Sequence, residues 1–322
     1  MIITRTPFRV SFAGGGSDLR EFYGKNGYGA VVSTAIDKYM YIVIHPYFHD
    51  KIRVKYSKTE DVENINDIKH PIIRECLRKV QIEKGIEIAS FADVPAGTGL
   101  GSSSAFTVGL LNALYAYKGR VVSKERLAAE ACEIEIDILK EPIGKQDQYA
   151  AACGNINYIR FNKDETVDVS PILLTESARK QIEDSLCLYY TGGTRRSGDI
   201  LNEQKKNVSD KDKFQNLEKM VVLADELRGV LQEENINAVG DILHKGWIYK
   251  KELASGISNK EIDSLYDRAI KCGATGGKLL GAGGTGFLLI YSKGHEILKK
   301  NMGCKTLPFK IDREGTKIIF YE

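Results

Sequence analysis

The segment that most constrains this chain is a glycine- and serine-rich stretch at residues 95–105, PAGTGLGSSSA. It follows a run with the alternation and β-branched residues of a strand, and it precedes a run with helical spacing of apolar residues. Glycines let the backbone approach a ligand closely, and the free N–H groups at a helix start favour a bound anion. The pattern predicts a strand, a phosphate-binding loop and a helix in succession.

This loop differs from the common nucleotide-binding loop. No lysine follows its last glycine, so the Gly-Lys-Ser/Thr ending of a Walker sequence is missing. Its serine hydroxyls can instead supply a hydrogen-bond donor or a Mg²⁺ ligand. We therefore expect an anion site of a different type.

Two further glycine clusters lie far from the first. Residues 6–18, TPFRVSFAGGGSD, end a strand-like run in three glycines and an aspartate. Residues 278–287, KLLGAGGTGF, lie between apolar runs near the other end of the chain. Each cluster alone could be a tight turn, but three separated loops of this kind favour a shared ligand site.

The composition excludes several classes of protein. The 46 basic and 43 acidic residues give a net charge of +3, and no polybasic tail occurs, so nucleic acid is not an expected partner. No apolar run approaches the roughly 18 residues of a membrane span, so we expect a cytoplasmic protein without a membrane partner. The six cysteines are widely spaced and lack a Cys-x-x-Cys pair, which indicates free thiols rather than zinc ligands or disulfides.

The periodicity of apolar residues predicts an α+β protein. Strand patterns dominate the first third of the chain, at residues 2–12, 39–47, 52–56 and 86–94. Helical spacing follows from residue 102 to residue 139 and again from 213 to about 272, and strands return near the end. We expect an N-terminal domain at residues 1–165 and a C-terminal domain at residues 166–322.

The three glycine-rich segments, in this order and spacing, resemble the three motifs of the galactokinase, homoserine kinase, mevalonate kinase and phosphomevalonate kinase (GHMP) superfamily. The match spans nearly the whole chain. The triple glycine and the segment GKQDQ at residues 144–148 are most similar to the sugar-1-kinase branch, which includes heptose 7-phosphate kinases and the kinase part of bifunctional fucokinases. The resemblance implies a two-domain α+β fold with the active site in the cleft between the domains.

The resemblance also implies the cofactors, which are ATP and Mg²⁺. In this family the second motif wraps the triphosphate, and a serine and a later glutamate hold the metal; here these positions are Ser103 and Glu135. The implied nucleotide-binding residues are Pro95, Gly97, Gly99, Leu100, Gly101, Ser102, Ser103, Ser104, Gly283 and Gly284.

Asp147 and Arg9 take the positions of the family's catalytic pair. A carboxylate within reach of a sugar hydroxyl can orient the hydroxyl and accept its proton. A cation beside the carboxylate would favour its charged form and balance charge on the transferring phosphoryl group. The resemblance therefore implies that Asp147 is the general base and that Arg9 supports it.

The substrate implied is a sugar that already carries a phosphate, with the anomeric hydroxyl as acceptor and a heptose 7-phosphate as the expected compound. Asp18 matches an aspartate that holds sugar hydroxyls in galactokinases, but Gly15 and Gly16 replace the Glu-His pair found there, which argues against galactose. Two arginines at a predicted strand-to-helix junction suit a second phosphate. The candidate substrate-binding residues are Gly15, Gly16, Ser17, Asp18, Gly193, Arg195 and Arg196.

Other functions stay open on the sequence alone. They are a kinase of a free sugar such as fucose or galactose, a homoserine- or mevalonate-type kinase or related decarboxylase, and a non-catalytic sensor on the same fold. A sensor would be expected to lose a catalytic group, and none is lost here. The protein is expected to be a monomer or a homodimer.

Overall fold

The computed structural model describes residues 1–193 and 198–322. Within them, twelve strands form two sheets. The strands are β1 (Ile2–Ala13), β2 (Tyr28–Pro46), β3 (Ile52–Lys55), β4 (Thr59–Val62), β5 (Ile86–Ala92), β6 (Ile156–Asn162), β7 (Val167–Pro171), β8 (Leu186–Tyr190), β9 (Gly276–Leu279), β10 (Phe287–Tyr291), β11 (Thr306–Pro308) and β12 (Lys317–Tyr321).

Eleven α-helices in the described ranges surround these sheets. They are α1 (Arg20–Asn26), α2 (Pro71–Val80), α3 (Ser102–Tyr117), α4 (Lys124–Cys132), α5 (Gln146–Cys153), α6 (Glu176–Ser185), α7 (Gly198–Asn207), α8 (Lys211–Gln232), α9 (Val239–Lys251), α10 (Lys260–Lys271) and α11 (Glu296–Met302). A π-helical segment, Glu133–Ile138, continues α4. The predicted mixture of helices and strands is confirmed.

The first sheet has eight strands built around β2. Its main order is β12-β1-β2-β5-β3-β4, and β6 and β7 extend it from the other half of β2. The sheet is antiparallel apart from the β3–β5 pair. Strand β2 is a continuous strand of 19 residues. Its first part pairs with β6, and its second part pairs with β5. The pattern at residues 39–47 predicted only the second part.

The second sheet has the order β11-β8-β10-β9 and is antiparallel. Helix α9 packs on β9 and β10, and α8 packs on α9 and on the first sheet. Two strands that follow residue 165 belong to the first sheet, since β7 pairs with β6 and β12 pairs with β1. The first sheet therefore extends beyond residues 1–165, and the two-domain division at that residue stays a prediction.

Helix α3 is the central helix of the first layer. It packs against β1, β2, α2, α4 and α5, and most of its side chains are buried. Gly109 allows the close approach, because a Cβ there would lie 2.6 Å from Thr6 Oγ1. Thr4 also donates a hydrogen bond to the Gly109 carbonyl at 2.9 Å. These contacts hold the middle of α3 against the first half of β1.

Two expectations from composition can be compared with the structure. All six cysteines have free thiols, and Cys76, Cys132 and Cys187 are buried. In the described part of the chain, every helix is too short or too polar to cross a membrane.

Candidate active site

The three glycine-rich segments meet around one cleft of about 540 Å³. Its lining comes from β1, β2, α2, α3, α5 and the loops beside them, and from α7, α9, β9 and the loop that follows β9. The predicted residues that line it are Arg9, Gly15, Gly16, Asp18, Gly97, Gly99, Gly101, Ser102, Ser103, Ser104, Glu135, Asp147 and Gly283.

Five other predicted residues, all in the described ranges, do not line the cleft. They are Pro95, Leu100, Ser17, Gly193 and Gly284. Their contacts are those of loop formation: the Pro95 carbonyl accepts from Thr98, and Ser17 Oγ donates to the carbonyls of the first loop and of β2. Arg195 and Arg196 lie outside the described residues.

The loop before α3 has the form that its glycines predict. Gly97, Gly99 and Gly101 all have positive φ, between 73° and 84°, a conformation that side chains with a Cβ rarely adopt. Helix α3 then begins at Ser102, and its first three residues line the cleft. The free N–H groups of the helix start therefore open into the cavity, where an anion is favoured.

The second and third glycine segments touch backbone to backbone. A Cβ on Gly99 would lie 2.6 Å from the Leu280 carbonyl oxygen, and a Cβ on Gly281 would lie 2.5 Å from Gly99 Cα. Any side chain at either position would separate the two loops. Glycine is therefore required here by the approach of the two halves of the molecule.

Arg9 and Asp147 form a two-pronged ion pair in the cleft. Arg9 Nε and Nη2 donate to Asp147 Oδ1 and Oδ2, each at 2.6 Å, and Nη1 donates to the Gly99 carbonyl at 2.6 Å. The side chains are 7% and 21% exposed. Such a fork holds the carboxylate in one orientation, with one side turned to the cleft.

Glu135 lies fully buried beneath the start of α3, in the π-helical segment. Its Oε1 accepts from Ser103 Oγ at 2.8 Å, and its Oε2 accepts from Gln148 Nε2 at 2.7 Å. Burial raises the pKa of Glu135 to about 7, although the hydrogen bonds from Ser103 and Gln148 oppose the shift. The segment was predicted as a continuous helix; π-turns of this kind recur at functional sites.

Asp18 links the first glycine loop to the start of α5. Its Oδ1 accepts from the Gly16 N–H at 2.9 Å and from Gln146 Nε2 at 3.1 Å, and its Oδ2 accepts from the Gln146 N–H at 3.2 Å. Burial, and then the charge of Asp147, raises the pKa of Asp18. Both of its oxygens already have protein donors, so its contact with a sugar stays a prediction.

Sequence reasoning missed several polar residues that line the cleft; four that lie near the glycine loops and the catalytic pair are Ser11, Gln146, Lys250 and Lys278. Three of them lie inside the glycine-rich or GKQDQ segments, so their place in the sequence was a usable signal. Lys250 lies in the amphipathic pattern of α9, where a lysine resembles an ordinary surface residue. Its burial depends on the packing of α9 against the second sheet.

A helix start that opens into the cleft, beside a carboxylate held by arginine, is an arrangement that suits phosphoryl transfer. Two family models match the chain: the GHMP kinases N terminal domain over residues 67–155 and the GHMP kinases C terminal over residues 227–306. Together they cover more than half of the chain. The chain belongs to the GHMP kinases, and it is an ATP-dependent phosphotransferase.

Relatives extend the match over the whole chain. The D-glycero-alpha-D-manno-heptose 7-phosphate kinase of Campylobacter jejuni is 29% identical over 98% of each chain. The mevalonate kinase of Pyrococcus horikoshii is 25% identical, over 98% of this chain and 88% of that protein. The crystal structure of a D-glycero-D-manno-heptose 1-phosphate kinase from Bacteroides thetaiotaomicron superposes with a TM-score of 0.82 at 23% identity, over all of both chains. The predicted GHMP kinase fold is confirmed.

Proposed function

We propose that this protein transfers the γ-phosphate of ATP to the anomeric hydroxyl of D-glycero-D-manno-heptose 7-phosphate, giving the 1,7-bisphosphate for nucleotide-activated heptose synthesis. The observation that supports this reaction is the ion pair of Arg9 and Asp147 at the cleft, in which both N–O distances are 2.6 Å. The whole-chain similarity to a heptose 7-phosphate kinase supports the substrate.

Asp147 is proposed to orient the sugar hydroxyl and to accept its proton. Its carboxylate is held from one side by Arg9, and the side toward the cleft is partly exposed. Positioning and charge neutralisation supply most of the rate in phosphoryl transfer. Because Arg9 holds the Asp147 carboxylate in a single orientation, this carboxylate can position the hydroxyl.

ATP is expected to lie along the glycine loops, with its phosphates at the start of α3. The cleft becomes apolar where Met40, His70, Ile72 and Phe106 line it. The rings of His70 and Phe106 are 5.2 Å apart at an angle of 30°. Flat apolar surfaces of this kind suit a purine, so we expect the adenine there.

Ser103 and Glu135 fit a Mg²⁺ ion carried by the nucleotide. A hydroxyl and a carboxylate are hard oxygen donors, and Mg²⁺ is commonly held by one or two carboxylates together with substrate phosphates and water. The phosphates of the nucleotide would supply further oxygen ligands. The ion would neutralise charge on the phosphates during transfer.

The sugar is expected to lie beside Gly15, Gly16 and Asp18. All three residues line the cleft just beyond the end of β1. Arg195 and Arg196, outside the described residues, are proposed from the sequence to bind the phosphate at the far end of the sugar.

A coupled assay of ADP release tests the function. Purified protein is screened with ATP against heptoses, hexoses, their terminal phosphates, homoserine and mevalonate. We expect the highest kcat/KM for the heptose 7-phosphate, with a 1,7-bisphosphate identified as the product. A preference for unphosphorylated fucose or galactose, or for mevalonate, would contradict the proposal.

The role of Arg195 is tested by a substrate comparison. Removing an arginine from a phosphate costs about 1.5–3 kcal/mol, or roughly tenfold to a few hundredfold in affinity. Arg195→Ala should therefore lower kcat/KM for the heptose 7-phosphate by that factor and leave kcat/KM for the free heptose nearly unchanged. Equal losses on the two sugars would mean that Arg195 supports the structure or the nucleotide site.

A further inference from the structure

We propose that Lys278 is a catalytic residue that binds the γ-phosphoryl group of ATP and balances its charge during transfer. The inference rests on the proposed kinase reaction but not on which sugar is the acceptor.

Lys278 reaches across the cleft from one half of the molecule to the other. It lies on β9 of the second sheet, opposite Leu289 of β10. Its Nζ donates a hydrogen bond at 3.2 Å to the carbonyl of Phe12 in β1, just before the triple glycine. The residue is only 3% exposed, and the small exposed part faces the cleft.

Among the described residues, the ammonium group of Lys278 has fewer partners than it has donors. An ammonium group has three donors, and one acceptor is present for it among the described residues. Within residues 1–193 and 198–322 it forms no ion pair with a carboxylate. Burial, and then the charge of Arg9, lowers the pKa of Lys278 to about 7. A buried cation without a counter-charge is costly, and a bound anion would remove that cost.

The neighbouring Lys250 provides a contrast. Its Nζ donates to the Leu279 carbonyl at 2.8 Å and to the Gly281 carbonyl at 2.6 Å. These bonds hold the third glycine segment against α9. The fold therefore uses Lys250 to shape the loop, whereas Lys278 has a single acceptor in the described part of the chain for its three donors.

The position of Lys278 points to the transferring phosphate rather than to the sugar's own phosphate. Two residues after Lys278, the Leu280 carbonyl packs on Gly99 of the phosphate loop. The Gly99 carbonyl in turn accepts from Arg9, which holds Asp147. The ammonium thus belongs to the part of the cleft where the phosphate loop and the base meet.

The proposed step balances without a further reactant. The hydroxyl oxygen of the sugar forms a bond to the γ-phosphorus, and the bond from that phosphorus to the β,γ-bridging oxygen breaks. The hydroxyl proton goes to Asp147, and ADP leaves with the electron pair. Lys278 stays protonated and supplies hydrogen bonds and positive charge at the γ-phosphoryl oxygens, where they act most strongly in a dry site.

Nucleotide binding without sugar tests the proposal. Calorimetry compares ADP with a non-hydrolysable ATP analogue, both with Mg²⁺, on wild type and on Lys278→Met. We expect the variant to bind ADP within about twofold of wild type and to lose about ten- to a hundredfold for the ATP analogue. In the kinase assay its kcat should fall by about 10²–10³-fold.

Two further variants complete the test. Lys278→Arg keeps the charge and should recover part of the selectivity for the ATP analogue and part of kcat. Lys250→Met should weaken both nucleotides alike, because it loosens the loop that contacts Gly99.

Equal losses on ADP and the ATP analogue in Lys278→Met would overturn the proposal, as would an unchanged preference for the ATP analogue. A loss confined to the KM of the sugar phosphate would also overturn it and assign the lysine to the substrate's own phosphate. Because the binding measurement contains no sugar, an error in the proposed sugar leaves its outcome unaffected.

Discussion

The cleft holds two kinds of buried charge. Arg9 and Asp147 are joined by two hydrogen bonds of 2.6 Å, so the protein itself supplies both the positive and the negative charge of this pair. Glu135 and Lys278 are more deeply buried, yet in the described part of the chain their hydrogen-bond partners are neutral groups. The charges of Arg9 and Asp147 compensate each other, whereas the described residues supply no opposite charge for Glu135 or Lys278.

This difference is consistent with the separate roles proposed above for the two regions. A compensated pair keeps its geometry without a ligand, which suits a group that must orient a hydroxyl. Uncompensated charges are costly in the free protein and gain most from a ligand of opposite sign. A magnesium-bound triphosphate carries a cation for Glu135 and an anion for Lys278, so binding would complete both charges together.

The largest expected effect comes from breaking the compensated pair. Asp147→Asn keeps the shape of the side chain but removes the proton acceptor. We expect kcat to fall by about 10²–10⁴-fold, with the fold and ATP binding retained. Steady-state kinetics, nucleotide calorimetry and a thermal melt measure the three quantities.

Asp137→Asn is a matched control, since Asp137 pairs with Arg20 on the exposed surface. It should leave kcat at the wild-type value. Near wild-type turnover in Asp147→Asn would remove Asp147 from the mechanism.

A smaller effect is expected at the uncompensated carboxylate. Ser103→Ala and Glu135→Gln each remove one oxygen ligand or its charge, so the Mg²⁺ concentration for half-maximal activity should rise by at least about tenfold. A magnesium titration at saturating ATP measures it. Ser123→Ala, which removes a hydroxyl that caps α4 outside the cleft, is the control. An unchanged half-saturation in both cleft variants would disprove the metal site.

The smallest expected effect is the change in stability with pH that results from the buried ammonium group of Lys278. The native pKa of Lys278, about 7, is below its ordinary value of 10.5. Between these values the unfolded chain binds more protons, so this group adds stability as pH rises and costs most below pH 7. The charge of Arg9 helps to lower the pKa of Lys278, and the charges of Lys278 and Arg9 help to lower the pKa of Lys250.

Lys278→Met should therefore melt at least about 2 °C above wild type at pH 6.5, in protein free of nucleotide. The difference should shrink steadily toward pH 10. Melting curves of the two proteins across this range provide the measurement. A constant difference, or a variant that is less stable at pH 6.5, would mean that Lys278 carries no buried charge in the free protein.

Much of the fold was predictable because its signals are local. Strand patterns at residues 2–12 and 86–94 correspond to β1 and β5, since alternating and β-branched residues act on their own backbone. The glycine loop and the start of α3 were likewise encoded within one short segment. The first part of β2 was missed because it is buried almost throughout between β1 and β6, so its sequence lacks the alternation of a half-buried strand.

The candidate site was predictable as a set of segments but not as a set of contacts. By itself the sequence determined where the backbone can bend into phosphate loops and which acids and bases stand beside them. Only the tertiary structure decided that Arg9 meets Asp147 across 138 residues, that Ser103 meets Glu135 across 32, and that Lys278 reaches Phe12 across 266. The physical reason is that turn chemistry and helix capping depend on neighbouring residues, whereas burial and charge compensation depend on whichever distant groups the packed sheets bring together.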